Sequence, residues 1–343
     1  MTERPAGIAV LGAGRMGRGL AHVFAYAGHR ITLIDFKTRD APAFAALARA
    51  ARDEIAGTLG AFADLGEIPL ALVADILARV TILPREELDR AAADSEFLFE
   101  AVPEVLAVKQ QALSRLGRAG GPDAVIASTT STMNVDELAG FLDRPERFLN
   151  AHWLNPAFLI PLVEVSPGKA TGAETAGRML ELLKSVGKVP VRCAATPGFI
   201  VPRLQALVMN EAARLVEEGV ATAAEIDLAT RYGLGFRFAT LGVIEFIDWG
   251  GGDILYYADA YLRQALNADR FAAPAIVERH MASGAIGLKA GRGFHDYSGR
   301  DIAAYQRETL ARFVALLKHY GLFRAPAASS ADQHQGDVGE QDQ

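Results

Sequence analysis

A short apolar run that empties into a glycine loop constrains this chain more than any other feature. Ile8-Ala9-Val10-Leu11 reads as a buried strand, and Gly12-x-Gly14-x-x-Gly17 follows it directly. The loop spans Gly12 to Gly19, a helix continues over Leu20 to Ala27, and a second strand runs from Arg30 to Ile34, closing on Asp35. A strand, a helix and a strand within about thirty residues form the βαβ unit of a parallel sheet, because parallel neighbours need a helical crossover. Gly12 permits the tight turn, Gly14 lets backbone amides approach an anion, and Gly17 lets the helix pack against the sheet.

The alternation continues. Val80 to Leu83, Phe97 to Val102, Ala124 to Ser128, Phe148 to His152, Leu162 to Val165 and Lys188 to Cys193 read as strands. Helices fall between most of them, notably Leu106 to Leu116 and Glu174 to Val186, and the Ala- and Leu-rich stretch from Ala41 to Ala78 reads as inserted helices. Alternation stops at Thr196-Pro197-Gly198, a linker by its turn chemistry. Beyond it the pattern is helical over Ile200 to Glu218, Ala223 to Tyr232, Ile254 to Ala265, Pro274 to Ser283 and Ile302 to Tyr320. The expected organisation is an α/β domain over 1–195, an all-α domain over 196–324 and a disordered tail over 325–343, where small polar residues show no apolar period.

Composition narrows the function classes. Of 343 residues, 22% are charged, with a formal net charge of -6 and no basic stripe, so nucleic acid is not an expected partner. No apolar run is long enough to span a bilayer, no signal peptide is visible, and Cys193 is the lone cysteine. The cytoplasm is the expected location.

Asp35 stands 18 residues after Gly17, where an acid binds a ribose 2′-hydroxyl. The cofactor expected there is NAD rather than NADP, with Lys37 and Arg39 read as solvated loop charges. Alcohol oxidation then needs a base near neutrality, and histidine suits it. Among seven histidines, His152 ends a strand of the nucleotide-binding half and precedes Asn155-Pro156. Glu164 lies twelve residues on, placed to fix the imidazole tautomer, and the run Ser128-Thr129-Thr130-Ser131-Thr132 offers hydroxyls to an alcohol. Asp248 and Asp253 flank Gly250-Gly251-Gly252, but no His or Cys cluster accompanies them, so no metal is expected. The three glycines suggest a close backbone approach.

These residues resemble the L-3-hydroxyacyl-CoA dehydrogenase family over about residues 6 to 300. The matching blocks are Gly12-Ala13-Gly14-Arg15-Met16-Gly17, Glu100-Ala101-Val102-Pro103-Glu104, Ala127 to Ser131, His152-x-x-Asn155-Pro156, Leu162-Val163-Glu164-Val165, Thr196 to Val201, Asn210-Glu211-Ala212 and Gly293-Phe294-x-Asp296-Tyr297. The resemblance implies a Rossmann-type doubly wound parallel sheet domain followed by a helical domain that dimerises. It implies His152 as base, Glu164 as its partner, and Ser131 and Asn155 as substrate-positioning residues. Gly12, Gly14, Met16, Gly17 and Asp35 would bind the cofactor, with Glu104 and Lys109 close to it.

Two departures bear on substrate. Where the family carries Asn after its Gly-Phe-Ile-Val run, this chain has Pro202, which offers no amide side chain and no backbone donor. From Ala41 to Ala78 the only basic residues are Arg49 and Arg52, a sparse clamp for coenzyme A phosphates. Ile160 to Glu164 and Gly233-Leu234-Gly235-Phe236-Arg237 resemble the branch acting on free hydroxy acids, such as gulonate and carnitine dehydrogenases, and Arg237 could grip a carboxylate. The expected activity is NAD-dependent oxidation of a 3-hydroxyacyl-CoA. A free 3-hydroxy acid dehydrogenase is the second reading and a silent NAD-binding structural protein the third. A lysine-dependent β-hydroxyacid dehydrogenase shares the glycine motif but not the His152-x-x-Asn155-Pro156 block.

Overall fold

The computed structural model describes residues 7–324, so the tail expected over 325–343 lies outside the described residues. Eight strands form one sheet: β1 (Ile8–Leu11), β2 (Ile31–Ile34), β3 (Val80–Leu83), β4 (Phe97–Glu100), β5 (Val125–Ser128), β6 (Phe148–Trp153), β7 (Leu162–Pro167) and β8 (Val189–Arg192). Their order across the sheet is β3-β2-β1-β4-β5-β6-β7-β8. Strands grow outward from β1 in both directions, as in a doubly wound sheet. Every residue of β1, β4, β5 and β6 is buried, which explains why these segments read as unbroken apolar runs rather than alternating ones.

Helices cover both faces. The first are α1 (Arg15–Tyr26), α2 (Ala41–Asp64), α3 (Ala71–Leu77), α4 (Leu88–Ala93), α5 (Leu106–Ala119), α6 (Val135–Ala139) and α7 (Ala173–Ser185). One core packs β1 to β7 with α1, α2, α3 and α7 around Phe24, Phe99 and Trp153; the other packs the opposite face with α4, α5 and α6 around Leu11, Leu113 and Phe148. Helix α1 begins at Arg15, inside the glycine motif, earlier than the apolar period from Leu20 suggests. The difference lies in Gly17 and Gly19, which interrupt the apolar pattern yet sit within the helix.

The sheet is not wholly parallel. β6 and β7 pair antiparallel, with His152 opposite Glu164. Eight residues, 154–161, connect them, too few for a parallel crossover. The other six neighbouring pairs are parallel.

The chain divides into two compact units at Asn210–Glu211, within α8 (Val201–Glu217). The second unit is helical: α9 (Ala223–Ala229), a π-helical turn (Thr230–Gly235), α10 (Phe236–Phe238), α11 (Val243–Gly250), α12 (Gly252–Ala265), α13 (Ala275–Ser283) and α14 (Ile302–His319). Gly251, at φ +104°, turns α11 into α12. Asp248 is 2% exposed and accepts the backbone N–H groups of Phe294 and His295 at 2.9 and 2.8 Å. Asp253 pairs with Lys289 at 2.9 Å. Each carboxylate thus has a structural partner. Among the described residues no cluster of three or more His, Cys, Asp or Glu could hold a metal, and no helix is long and apolar enough to cross a membrane.

Candidate active site

Parallel register gathers the site at one edge of the sheet. Leu11 pairs with Ile34 on one side and Glu100 on the other; Glu100 pairs with Ser128, and Ser128 with Asn150. The segments that leave these strands, Gly12 to Gly17, Asp35, Ala101 to Glu104, Thr129 to Ser131 and the end of β6, therefore leave at the same edge. That is the carboxyl edge of the parallel strands, where open α/β sheets bind ligands.

The glycines divide their roles. Gly12 has φ +119°, and a Cβ there would meet the Ala101 carbonyl oxygen at 2.4 Å. A Cβ on Gly17 would lie 1.9 Å from the Gly12 oxygen, so only glycine lets α1 approach β1. A Cβ on Gly14 would meet nothing within 4 Å, so this glycine is not needed for packing. It is the N-cap of α1 and offers no side-chain acceptor to the first-turn amides, which stay available to an anion such as a pyrophosphate. Met16 is half-buried against the sheet core. Asp35, 4% exposed, accepts the Lys37 backbone N–H at 3.1 Å and Arg39 Nε at 2.5 Å. Arg39 is thus an ion-pair partner rather than the solvated loop charge the sequence suggests.

A buried polar network runs behind this edge. Lys109, 1% exposed, donates to both oxygens of Glu100 at 2.9 and 3.0 Å and pairs with Glu104 at 3.2 Å. Burial pushes the Glu100 carboxyl up, with Lys109 and Ser128 pulling against it. Glu104 in turn gathers the loop after β5: Thr130 Oγ1 donates to it, as do the backbone N–H groups of Ser131 and Thr132 at 3.2 and 3.3 Å. Burial opposes the Glu104 charge, but Thr130 and Lys109 outweigh it and hold this carboxyl below the usual range. Lys109 therefore faces carboxylates, with its ammonium out of solvent. Sequence reasoning missed Glu100, whose only signal was its place in the Glu100 to Glu104 block.

His152 and Glu164 meet directly. Nδ1 of His152 lies 2.7 Å from Oε2 of Glu164, with side chains 5% and 0% exposed. The other oxygen, Oε1, accepts the Ile200 and Val201 backbone N–H groups, each at 2.8 Å. Burial alone would push the Glu164 carboxyl up; His152 and these two amides outweigh it and hold it below the ordinary carboxylate range. An ionised carboxylate only accepts, so Nδ1 is the protonated nitrogen and Nε2 carries the lone pair.

The Thr196-Pro197-Gly198 segment is more than a linker. Gly198 at φ +73° and Phe199 at φ +43° fold it so that the next two amides reach Glu164. Phe199, 4% exposed, stacks on His152 with ring centroids 5.5 Å apart. Nothing in the sequence marks Phe199 for this, because a phenylalanine at positive φ is uncommon. Pro202 falls in the first turn of α8, where its missing N–H costs no helical hydrogen bond.

Ser131 and Asn155 lie just beyond the ends of β5 and β6, and neither side chain has a hydrogen-bond partner among the described residues. Asn155 borders a cleft of about 290 Å³ shared with Arg15, Arg18, His22 and Thr58. In the second unit Arg237 is exposed, its guanidinium 5.2 Å from the Phe246 ring centre.

A strand-end glycine loop, an acid after β2 and a carboxylate-held imidazole define a nicotinamide-dependent dehydrogenase of hydroxy compounds. Residues 7–196 match the 3-hydroxyacyl-CoA dehydrogenase NAD-binding domain, and residues 198–297 its C-terminal domain. The chain belongs to the 3-hydroxyacyl-CoA dehydrogenase family of NAD-dependent oxidoreductases, and NAD is its cofactor. It is 34% identical over 312 residues to 3-hydroxyadipyl-CoA dehydrogenase of Escherichia coli, covering 91% of this chain and 63% of that protein's length. It is 38% identical to L-carnitine dehydrogenase of Burkholderia mallei over 177 residues, 51% of this chain and 54% of that one. The 3-hydroxyacyl-CoA dehydrogenase structure from Archaeoglobus fulgidus superposes with a TM-score of 0.72 at 30% identity, over 93% of this chain and all of that one.

Proposed function

We propose that the protein oxidises the 3-hydroxyl of a 3-hydroxyacyl-CoA, of the 3-hydroxybutyryl-CoA kind, to the 3-keto product with His152 as general base. The observation that carries this is the His152–Glu164 pair anchored by the Ile200 and Val201 amides. Nε2 of His152 takes the hydroxyl proton, and Glu164 stabilises the resulting imidazolium. NAD supplies the hydride acceptor for the hydrogen on C3. Ser131 and Asn155, whose side chains have no hydrogen-bond partner among the described residues, orient the hydroxyl and the carbonyl. Phe199 covers one face of the imidazole and keeps water from it. Gly12, Gly14, Met16, Gly17 and Asp35 hold the cofactor, with Glu104 and Lys109 shaping the loop beside it. Residues 1–195 serve as the cofactor domain and 196–324 as the substrate and dimerisation domain of a cytoplasmic homodimer. Ile254, Tyr257 and Tyr261 lie exposed on one face of α12, which supports the dimer.

A free 3-hydroxy acid is the second reading, and one feature favours it. Arg52 donates to the carbonyls of Leu77 and Val80, so of the two basic residues between Ala41 and Ala78 only Arg49 stays free for a phosphate. The carnitine dehydrogenase relative agrees with this reading. Initial rates with 3-hydroxybutyryl-CoA against a panel of free 3-hydroxy acids, carnitine included, test the assignment. Faster turnover of any free acid than of the thioester would overturn the first reading.

A further inference from the structure

We propose that Arg39 sets nucleotide selectivity at the adenosine end of the cofactor site and lets the protein hold NADPH beside NADH. The proposal rests on the assignment of Asp35 to the cofactor ribose. A bare carboxylate there favours ribose hydroxyls and repels a phosphate on the 2′ oxygen. Asp35 is not bare. Arg39 Nε donates to its Oδ2 at 2.5 Å and the Lys37 backbone N–H to its Oδ1 at 3.1 Å, so the buried negative charge is neutralised locally. The Lys37 side chain is exposed beside it.

The neighbouring strand adds another cation. Asp35 N–H donates to the Leu83 carbonyl at 2.9 Å, which ties the end of β2 to the end of β3, and Arg85 follows two residues later. The Arg85 guanidinium lies 4.9 Å from the centre of the Phe36 ring. The nearest further acid in sequence, Asp40, caps α2 by accepting the Ala43 N–H at 2.8 Å. Arg39 is therefore the one cationic side chain that pairs with this carboxylate, while Lys37 and Arg85 are cations on the neighbouring segments that follow β2 and β3.

Arg39 is also half-engaged in a useful way. Only its Nε is used; Nη1 and Nη2 make no hydrogen bond among the described residues. A guanidinium anchored through Nε is already oriented, and its remaining N–H groups form the fork that matches a phosphate. Little side-chain freedom is left to lose when that phosphate arrives. Asp35 still has lone pairs for a ribose hydroxyl, so the same pair of residues accommodates either form of the cofactor.

The test is direct binding. NADH and NADPH fluorescence is titrated with the wild-type protein, Arg39→Ala and Arg39→Lys, and circular dichroism checks that each variant is folded. The wild type is expected to bind NADPH with a Kd within about 100-fold of that for NADH. Arg39→Ala should weaken NADPH by about tenfold or more while NADH changes by less than about threefold. Arg39→Lys should fall between, because lysine keeps the charge and loses the fork. Undetectable NADPH binding by the wild type, or a folded Arg39→Ala protein that shifts both nucleotides alike or neither, overturns the proposal. Failure of the wild type to bind NADH would instead remove the ribose assignment beneath it.

Discussion

In the proposed mechanism His152 takes the alcohol proton through Nε2 while Nδ1 keeps its own, facing Glu164 Oε2 at 2.7 Å. Replacing His152 with alanine should lower kcat by about 10²- to 10⁴-fold, the usual worth of a general base, with NADH affinity little changed. Stopped-flow turnover and NADH titration of the same preparation check both halves; near-wild-type turnover would remove the base assignment. Glu164 has a pH signature of its own. Its carboxyl is held below the ordinary range, so the folded state favours the ionised form. A depressed folded pKa contributes stability above the unfolded value, about pH 4.3, and that contribution is lost as pH falls through the folded value. The stability deficit of Glu164→Gln should therefore be largest above about pH 5 and shrink on acidification below about pH 4, read from urea unfolding at several pH values. A deficit independent of pH would show that the charge is not what matters. The closeness of the two residues was legible from His152 near the end of β6 and the twelve-residue spacing, although Glu164 lies inside β7 rather than at a strand end. Phe199 was not, since its place over the imidazole depends on a positive φ that phenylalanine does not advertise.

At the scale of an element, the opening loop and α1 separate packing from binding within one motif. Gly17 has no room for a Cβ, because the Gly12 oxygen would lie 1.9 Å away, whereas Gly14 has nothing within 4 Å. Gly17→Ala should cost about 1–3 kcal/mol of stability or more, as overpacking does, and lower Tm. Gly14→Ala should leave Tm nearly unchanged yet weaken NADH, since a methyl would project where the first-turn amides meet the anion. Differential scanning calorimetry paired with NADH titration separates the two, and equal effects on both observables in both variants would refute the division. The strand–helix–strand unit was readable from period and glycine spacing. The reversal of β7 was not, because a buried strand in a covered sheet reads the same in either direction. Only the short 154–161 connection carried that information, and it places Glu164 opposite His152.

For the molecule as a whole, the family and the cofactor follow from features spread over both halves of the chain, while the substrate turns on few side chains. Apolar periodicity announced α9, α12, α13 and α14 of the second unit, but not α10, α11 or the role of Asp248. Its bonds to the Phe294 and His295 amides span 46 and 47 residues of sequence, a distance over which no local pattern speaks. Arg237 poses the same problem in functional form. It is exposed and rests on Phe246, an arrangement equally suited to a surface charge and to a group awaiting a carboxylate. The two substrate readings assign it different consequences. If the substrate is a free hydroxy acid, Arg237 pairs with its carboxylate. Arg237→Met should then raise KM for that acid by about 10- to 150-fold, the equivalent of roughly 1.5–3 kcal/mol for a charge-assisted hydrogen bond. A coenzyme A thioester has no carboxylate at that carbon, so its KM should move by less than about threefold in the same variant, since the lost group bound nothing there. Methionine keeps most of the apolar contact with Phe246, which confines the change to the charge. Steady-state kinetics on both substrate types with one enzyme preparation gives the comparison. A variant unchanged on every substrate would leave the free-acid reading resting on the sparse basic residues of α2 and α3 alone. The thioester would then be the substrate that the remaining site chemistry supports.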